Sequence, residues 1–283
     1  MEPLATGYGL IEAPVWDTDR GLFFSDVLNG GVYCLSPSAA VSTVLPDRRG
    51  IGGMALHHQG GLVVGGRNIA YESLAGERRT VVLLERSVMP ESVGFNDLTT
   101  DARGRIYVGS LAFRVFAGDA PKPGYLHLID LDGSVRTIAD GVWLTNGLGV
   151  SPDGSRLYHS DSHADLVRVY DVRTDGSVGP WRVFAKLGGA VPDGLAVAAD
   201  GSVWVAAAHG GCVIAFEPDG TERLRLAVPL PMVTSVCFGG SDLRDLYVVT
   251  GSQGGPHANC GTLYRTRVEV PGLALAPARV TLG

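Results

Sequence analysis

The sequence predicts an all-β protein, a six-bladed β-propeller with about four antiparallel strands in each blade. Three observations predict it: many glycines, a unit that recurs six times, and no segment with the 3.6-residue apolar period of a helix. The chain has 283 residues, of which 40 are glycine and only 18% are charged. Abundant glycine between short apolar runs is typical of short strands joined by tight turns.

The recurring unit consists of an apolar strand, a turn of the D-x-x-G type, a second apolar strand, a polar loop and a third strand. The units begin near residues 14, 52, 96, 146, 193 and 234. A period of roughly 40–50 residues is typical of propeller blades, so residues 1–283 are expected to form one domain. Either the N-terminal "PLATGYGLI" or the C-terminal "GLALAPARVTLG" would supply the outer strand that closes the ring.

Composition limits the class of partner. The net charge is −6 and the basic residues are scattered, which excludes nucleic acid or an anionic membrane as the main partner. No apolar segment approaches the ~20 residues of a membrane span, and the N-terminus lacks the pattern of a signal peptide. We therefore expect a cytoplasmic protein, a monomer or weak homo-oligomer. The four cysteines show no CxxC spacing and are predicted to be buried free thiols.

Oxygen-bearing side chains stand just before the first strand of four blades. In a propeller the first strand of each blade lines the central channel, so these side chains should converge at the channel mouth. They are Glu12, Asn96 with Asp97 beside it, Asn146 and Asp193. Carboxylate and amide oxygens are suitable ligands for a hard divalent cation. For each residue alone, the alternative is a turn residue that bonds its own backbone.

Five stretches resemble the regucalcin, gluconolactonase and luciferin-regenerating enzyme family of six-bladed propellers. They are "EAPVWD", "FNDLTTDARGRIYVGS", "TNGLGVSPDGSRLYHSDS", "PDGLAVAADGSVWVA" and "VTSVCFGG". The resemblance implies that Glu12, Asn146 and Asp193 bind one divalent metal in the channel. It implies that Asn96 contacts this metal directly or through water and helps to place the substrate. It also implies lactone hydrolysis, often of sugar lactones. We expect Ca²⁺ first, with Zn²⁺, Mn²⁺, Mg²⁺ or Fe²⁺ as alternatives.

The chain departs from the family pattern where a sugar would be held. Ala13 replaces the usual glycine of the first motif, and Gly94 stands where an arginine usually grips sugar hydroxyls. The loop "LAFRVFAGD" brings Phe113, Arg114 and Phe116 to the channel mouth. These differences predict a lactone or ester that is less sugar-like than gluconolactone.

The predicted mechanism is metal-dependent opening of the lactone ring. The metal would polarise the carbonyl and stabilise the oxyanion. Asp193 is the candidate general base, and a metal-bound hydroxide is the alternative. Asn96 and Asp97 are also candidate substrate-binding residues: Asn96 would orient the carbonyl, while Asp97 would support the residues around it.

Three residues in loops at the channel mouth are further candidates for substrate binding. Arg114 would anchor an anionic or carbonyl group in place of the missing arginine. His209 and His257 would donate a hydrogen bond to the substrate or act as an acid. For each of the three, a solvated loop side chain is the alternative.

Two other functions are compatible with the same residues. One is a non-catalytic Ca²⁺-binding propeller, and the other is non-hydrolytic metal-dependent chemistry on a lactone or secondary-metabolite intermediate. The fold alone does not decide among them, because propellers have many functions. The sequence has no G-x-S-x-G elbow, no G-x-G-x-x-G before a helix and no P-loop, so serine-hydrolase and nucleotide chemistry are not predicted.

Overall fold

Six four-stranded antiparallel sheets surround a central channel in the computed structural model, which describes residues 1–89 and 91–283. The innermost strands of neighbouring sheets contact one another all the way around the ring. The predicted six-bladed β-propeller is therefore confirmed.

Each blade runs from an innermost strand at the channel to an outermost strand at the surface. The strands of the first half of the chain are β1 (Glu2–Tyr8), β2 (Ile11–Asp17), β3 (Gly21–Asp26), β4 (Val32–Leu35), β5 (Val41–Leu45), β6 (Met54–Leu56), β7 (Leu62–Val64), β8 (Asn68–Glu72), β9 (Thr80–Glu85), β10 (Gly94–Thr100), β11 (Ile106–Leu111), β12 (Gly124–Ile129) and β13 (Val135–Val142). Blade 1 is β2 to β5, blade 2 is β6 to β9 and blade 3 is β10 to β13.

The second half of the chain repeats this order. Its strands are β14 (Thr145–Val150), β15 (Arg156–Asp161), β16 (Leu166–Asp171), β17 (Arg182–Ala185), β18 (Val191–Val197), β19 (Val203–Ala208), β20 (Cys212–Phe216), β21 (Glu222–Ala227), β22 (Val233–Gly239), β23 (Asp245–Thr250) and β24 (Gly261–Arg267). Blade 4 is β14 to β17, blade 5 is β18 to β21, and blade 6 contains β22 to β24. Short 3-10 turns cover Arg86–Val88, Val115–Ala117 and Ser162–Ala164.

The N-terminal strand closes the ring. β1 pairs antiparallel with β24 and becomes the outermost strand of blade 6, with Glu2 opposite Arg265 and Tyr8 opposite Gly261. Of the two stretches that the sequence offered for this role, the N-terminal one is used. Its pairing covers the edge of β24, which would otherwise leave unpaired backbone groups.

The C-terminal residues 271–283, which we call the strap, cross one face of the ring. The backbone N–H of Leu273 donates to the carbonyl of Val197 in blade 5, at 3.0 Å. The hydroxyl of Thr100 in blade 3 donates to the carbonyl of Ala276, at 2.6 Å. This face lies where the innermost strands end, so we call it the strap face. The face where the innermost strands begin is the site face.

Apolar side chains fill the space between neighbouring sheets. Trp204 of blade 5 packs edge-on against Phe238 of blade 6, with 5.6 Å between ring centroids. Burying a large apolar side chain contributes about 1.5–3 kcal/mol, so these layers hold the blades together. Within the described residues, no helix is both long and apolar enough to cross a membrane.

All four cysteines are free thiols, as the sequence predicted. Cys34, Cys212 and Cys260 are buried, whereas Cys237 is partly exposed and lines the central channel.

Candidate functional site

The four predicted oxygen-bearing residues lie at irregularities in the innermost strands. Pairing with the second strand of the blade shifts register between Glu12 and Val15, Phe95 and Leu98, Thr145 and Leu148, and Pro192 and Leu195. Each interval starts at or contains one of the four residues. A β-bulge turns the strand locally and re-aims a side chain, and such bulges are frequent beside active sites.

Ala13, next to Glu12, has a left-handed backbone with φ of +53°. A non-glycine residue in this conformation costs of order 1–3 kcal/mol and persists only where its surroundings fix it. The family that the sequence resembles usually has glycine here, and the positive φ explains that preference. This chain accepts the strain with alanine, the smallest side chain that carries a Cβ.

Three carboxyl groups of the innermost strands influence one another electrostatically. Burial and the neighbouring charges of Asp193 and Asp97 raise the pKa of Glu12 well above its usual value. Burial and the charge of Asp97 raise the pKa of Asp193 in the same way. Burial also raises the pKa of Asp97 to about 7. The three groups come from blades 1, 3 and 5, so the folded ring brings together carboxyl groups that resist ionisation unless a positive charge joins them.

Asp193 provides the test of whether these residues would fit a cation. Its side chain is 5% exposed, and its buried Oδ1 has no hydrogen-bond partner in the described part of the chain. A buried polar atom without a partner is costly, and an unpaired buried charge is more so. A divalent cation would remove both costs, so the residues present fit such an ion.

Carboxylates alone would not complete this site. Among the described residues, no three His, Cys, Asp or Glu side chains are grouped so that they could hold a metal. A cation bound by Glu12 and Asp193 would therefore need amide oxygens as further ligands. The predicted asparagines could supply these oxygens.

A chain of hydrogen bonds fixes the amide of Asn146. Asn96 Nδ2 donates to Asn146 Oδ1 and to the carbonyl of Thr145, both at 2.7 Å. Asn146 Nδ2 donates to Ser162 Oγ at 2.7 Å, and Ser162 Oγ donates to the carbonyl of Pro192 at 2.6 Å. The network joins blades 3, 4 and 5, and it leaves one lone pair of Asn146 Oδ1 for a ligand.

Asn96 has its amide oxygen beside Gly52. A Cβ atom at position 52 would lie 1.8 Å from Asn96 Oδ1, so only glycine leaves room for this side chain. In this structure, the amide nitrogen of Asn96 holds the side chain of Asn146 by a hydrogen bond. Neither Gly52 nor Ser162 is predicted as a site residue from the sequence. The adjacent glycines of "IGGM" and the serine of "HSDSH" are the signals that could have found them.

The three predicted loop residues lie apart from this network. Arg114 is exposed, and its Nε and Nη2 donate to Asp119 at 2.9 and 2.8 Å, which lowers the pKa of that carboxyl to about 2. His209 is exposed, with φ of +61°. His257 is exposed, and its Nδ1 lies 3.0 Å from the carbonyl oxygen of Ala258. Arg114 would have to leave Asp119 before it could hold a ligand.

The raised pKa of Asp97 predicts how stability depends on pH in chelator. Between the unfolded pKa of 3.8 and the folded pKa of about 7, the folded state holds more protons, so its free energy of unfolding falls as pH rises. We expect Asp97→Asn to unfold at a higher denaturant concentration than the wild type at pH 8, and at nearly the same concentration at pH 4. Each unit of pKa shift corresponds to about 1.4 kcal/mol.

Chemical denaturation of both proteins across this pH range measures the effect. Histidine titrations are common to both proteins and cancel in the difference. A difference that stays constant with pH would contradict the prediction.

Comparison with known families places the chain. A family model described as SMP-30/Gluconolactonase/LRE-like region matches residues 10–252. The chain belongs to this family. The resemblance that the five sequence stretches indicated is confirmed.

Two curated relatives within the SMP-30/gluconolactonase family are named as lactonases. A 6-deoxy-6-sulfogluconolactonase of Pseudomonas putida is 33% identical over 93% of this chain and 92% of its own length. A pentonolactonase of Haloferax volcanii is 32% identical over 98% of this chain and 97% of its own length. A luciferin-regenerating enzyme of solved structure shares the fold, with a TM-score of 0.88, 23% identity and 99% of both chains covered.

Proposed function

We propose that this protein is a divalent-metal-dependent hydrolase that opens a lactone ring, and that its substrate is less sugar-like than gluconolactone. One observation carries the proposal: Asp193 leaves a buried, unpaired carboxylate oxygen in a cluster with Glu12, in a family that includes lactonases. A purely structural role for Glu12 and Asp193 does not explain why the channel holds two carboxyl groups without a positively charged partner.

The cation would be held by Glu12, Asp193 and Asn146, and it would polarise the lactone carbonyl when bound. Ca²⁺ is our first choice because every candidate ligand is oxygen, which hard cations prefer. The bond from Asn96 fixes the Asn146 amide before any ligand arrives. Such supporting hydrogen bonds orient a ligand and typically change metal affinity 10–100-fold when removed.

Asp193 is the group that we assign to proton transfer. It accepts a proton from the water that attacks the carbonyl carbon, and the ring C–O bond then breaks. The proton passes to the departing alkoxide oxygen, so the product is an open-chain hydroxy acid and no other reactant is consumed. Because Asp193 is buried, it makes this transfer away from bulk water.

The surroundings of the channel mouth support a less hydroxylated substrate. A Cβ at Gly94 would lie 3.0 Å from the carbonyl oxygen of Gly66, so this position leaves little room for an arginine. Leu28, Phe116 and Trp143 lie in connections of the site face and are 53%, 69% and 42% exposed. An apolar ring or alkyl group would cover such side chains and gain about 25 cal/mol for each Å² removed from water.

A panel of lactones tests the proposal. The protein is treated with chelator, then supplied with Ca²⁺, Mg²⁺, Mn²⁺, Zn²⁺ or Fe²⁺, and hydrolysis of gluconolactone is compared with that of alkyl and aromatic lactones. We expect turnover to disappear with chelator and return with at least one cation, with kcat/KM higher for the apolar lactones.

The outcomes separate the rival functions. A bound stoichiometric ion without turnover on any lactone would replace the hydrolase with a cation-binding propeller. A product whose mass is unchanged, rather than increased by one water, would indicate non-hydrolytic chemistry. A preference for gluconolactone would overturn the substrate class and keep the reaction.

A further inference from the structure

The half of the channel nearer the strap face is a cavity of about 420 Å³. Its walls are the later residues of the six innermost strands, together with residues 273–277 of the strap. The apolar wall residues include Leu56, Ala196, Val236, Phe238 and Leu273. The cavity has room for several water molecules, but such walls offer them few hydrogen bonds.

The inner end of this cavity is polar. Asp97 lines it, and the backbone N–H of Leu98 donates to Asp97 Oδ1 at 2.8 Å. No other donor in the described part of the chain is bonded to this carboxylate. Ser235 also lines the cavity and lies against Gly194, directly after Asp193. The hydroxyl-bearing residues Thr18, Thr100 and Ser241 line the other end of the cavity, so Asp97 is distinguished among the described lining residues by its carboxyl group.

We propose that this cavity, which we call the strap cavity, binds a small hydrophobic molecule whose single hydrogen-bond-donating head group faces Asp97. Ligand pockets in proteins commonly enclose about 300–1,000 Å³, with apolar walls and a few polar groups that fix orientation. The strap cavity has this size and this distribution of polar groups. The strap cavity adjoins the proposed hydrolytic centre at Asp97, but its existence does not depend on lactone hydrolysis.

Hydrogen-bonding capacity selects the head group. Asp97 Oδ1 accepts the backbone N–H of Leu98, and the other lone pairs of this carboxyl group can accept a donor from a ligand. An amine or alcohol can donate to the carboxylate, whereas a carboxylate ligand offers no donor. The predicted ligand class is thus an apolar amine or alcohol, and hydrophobic acids are excluded.

Calorimetric titration of the full chain in calcium-containing buffer tests this inference with three probes of one shape. They are 2-phenylethylamine, 2-phenylethanol and phenylacetate. We expect the amine and the alcohol to bind with one-to-one stoichiometry, and phenylacetate to bind at least about tenfold more weakly, a difference of ~1.4 kcal/mol. Tighter binding of phenylacetate would overturn the assignment of the head group.

Two filling variants locate the binding. Ala196→Phe and Cys237→Phe each place a ring where a partly exposed wall residue lines the cavity, and each should weaken amine binding at least about tenfold. Phe116→Ala, on the site face, should leave it unchanged. Circular dichroism shows which variants fold. If the folded filling variants bind the amine as the wild type does, the strap cavity is not the site.

Lactone hydrolysis by Ala196→Phe keeps the two proposals distinct. This residue is not part of the proposed hydrolytic centre, so the variant should retain its turnover while it loses amine binding. If the wild type hydrolyses no lactone, the proposed function fails, but the measured binding of the amine still stands.

Discussion

Asp193→Asn is expected to reduce kcat/KM for lactone hydrolysis by about 10²–10³-fold, the range seen when one group that stabilises a transition state is removed. The amide keeps the shape of the side chain but cannot take a proton from water. It also removes one of the two negative charges that would hold the cation. Initial rates at saturating Ca²⁺, together with the shift in unfolding temperature that Ca²⁺ produces, measure the two effects separately.

The two measurements distinguish a base from a ligand. If turnover is lost while Ca²⁺ still raises the unfolding temperature, Asp193 acts as the base. If both are lost, its main contribution is to hold the cation. Asp200→Asn is the matched control, because Asp200 lies in the turn that follows β18 and bonds Ser202 on the other face. It should keep wild-type turnover, and wild-type activity in Asp193→Asn would refute the assignment.

Gly147→Ala is expected to lower the free energy of unfolding by about 1–3 kcal/mol, the usual cost of overpacking a tight interior. A Cβ atom at this position would lie 2.4 Å from the backbone nitrogen of Leu195 and 2.7 Å from the carbonyl oxygen of Asp193. Those atoms belong to the innermost strand of the next blade. The added methyl group must therefore push blades 4 and 5 apart beside Asn146 and Asp193.

The same substitution should weaken Ca²⁺ binding about tenfold or more, because it moves two candidate ligands relative to each other. Denaturant unfolding and calcium titration measure the two effects. Gly179→Ala is the control, since its nearest contact would be 3.8 Å away, and its stability should stay within about 0.5 kcal/mol of the wild type. Equal stability of both variants would show that the blades can separate there without cost.

The fold could be predicted from the sequence because each blade repeats a local pattern. A turn such as "SPDGS" fixes its own geometry: Asp153 Oδ1 accepts the backbone N–H of Ser155, and Gly154 takes a positive φ of +71°. These features depend on neighbours within a few residues, so they can be predicted from the sequence alone. Closure by β1 was one of two options, because pairing across the whole chain leaves no local signal.

The candidate site was predictable in its residues and less so in their roles. Glu12, Asn146 and Asp193 could be chosen because they share one position in the repeat. The hydrogen bond from Asn96 to Asn146 spans two blades and depends on rotamers, which repeat position does not determine. For the same reason, the exposed Arg114 looked available in sequence, although Asp119 holds it in the structure.

Closure of the ring by β1 has a consequence for the order of folding. The Glu2–Arg265 contact joins residues 263 positions apart, so blade 6 is completed only after nearly the whole chain has been made. Contacts of such long range are entropically costly and form slowly. Glu12 follows β1 directly, and its approach to Asp193 requires blade 1 to meet the blades made after it. We therefore expect nascent chains that end before β24 to lack the complete set of candidate ligands, so the proposed cation affinity would arise late in biosynthesis, only once the ring has closed.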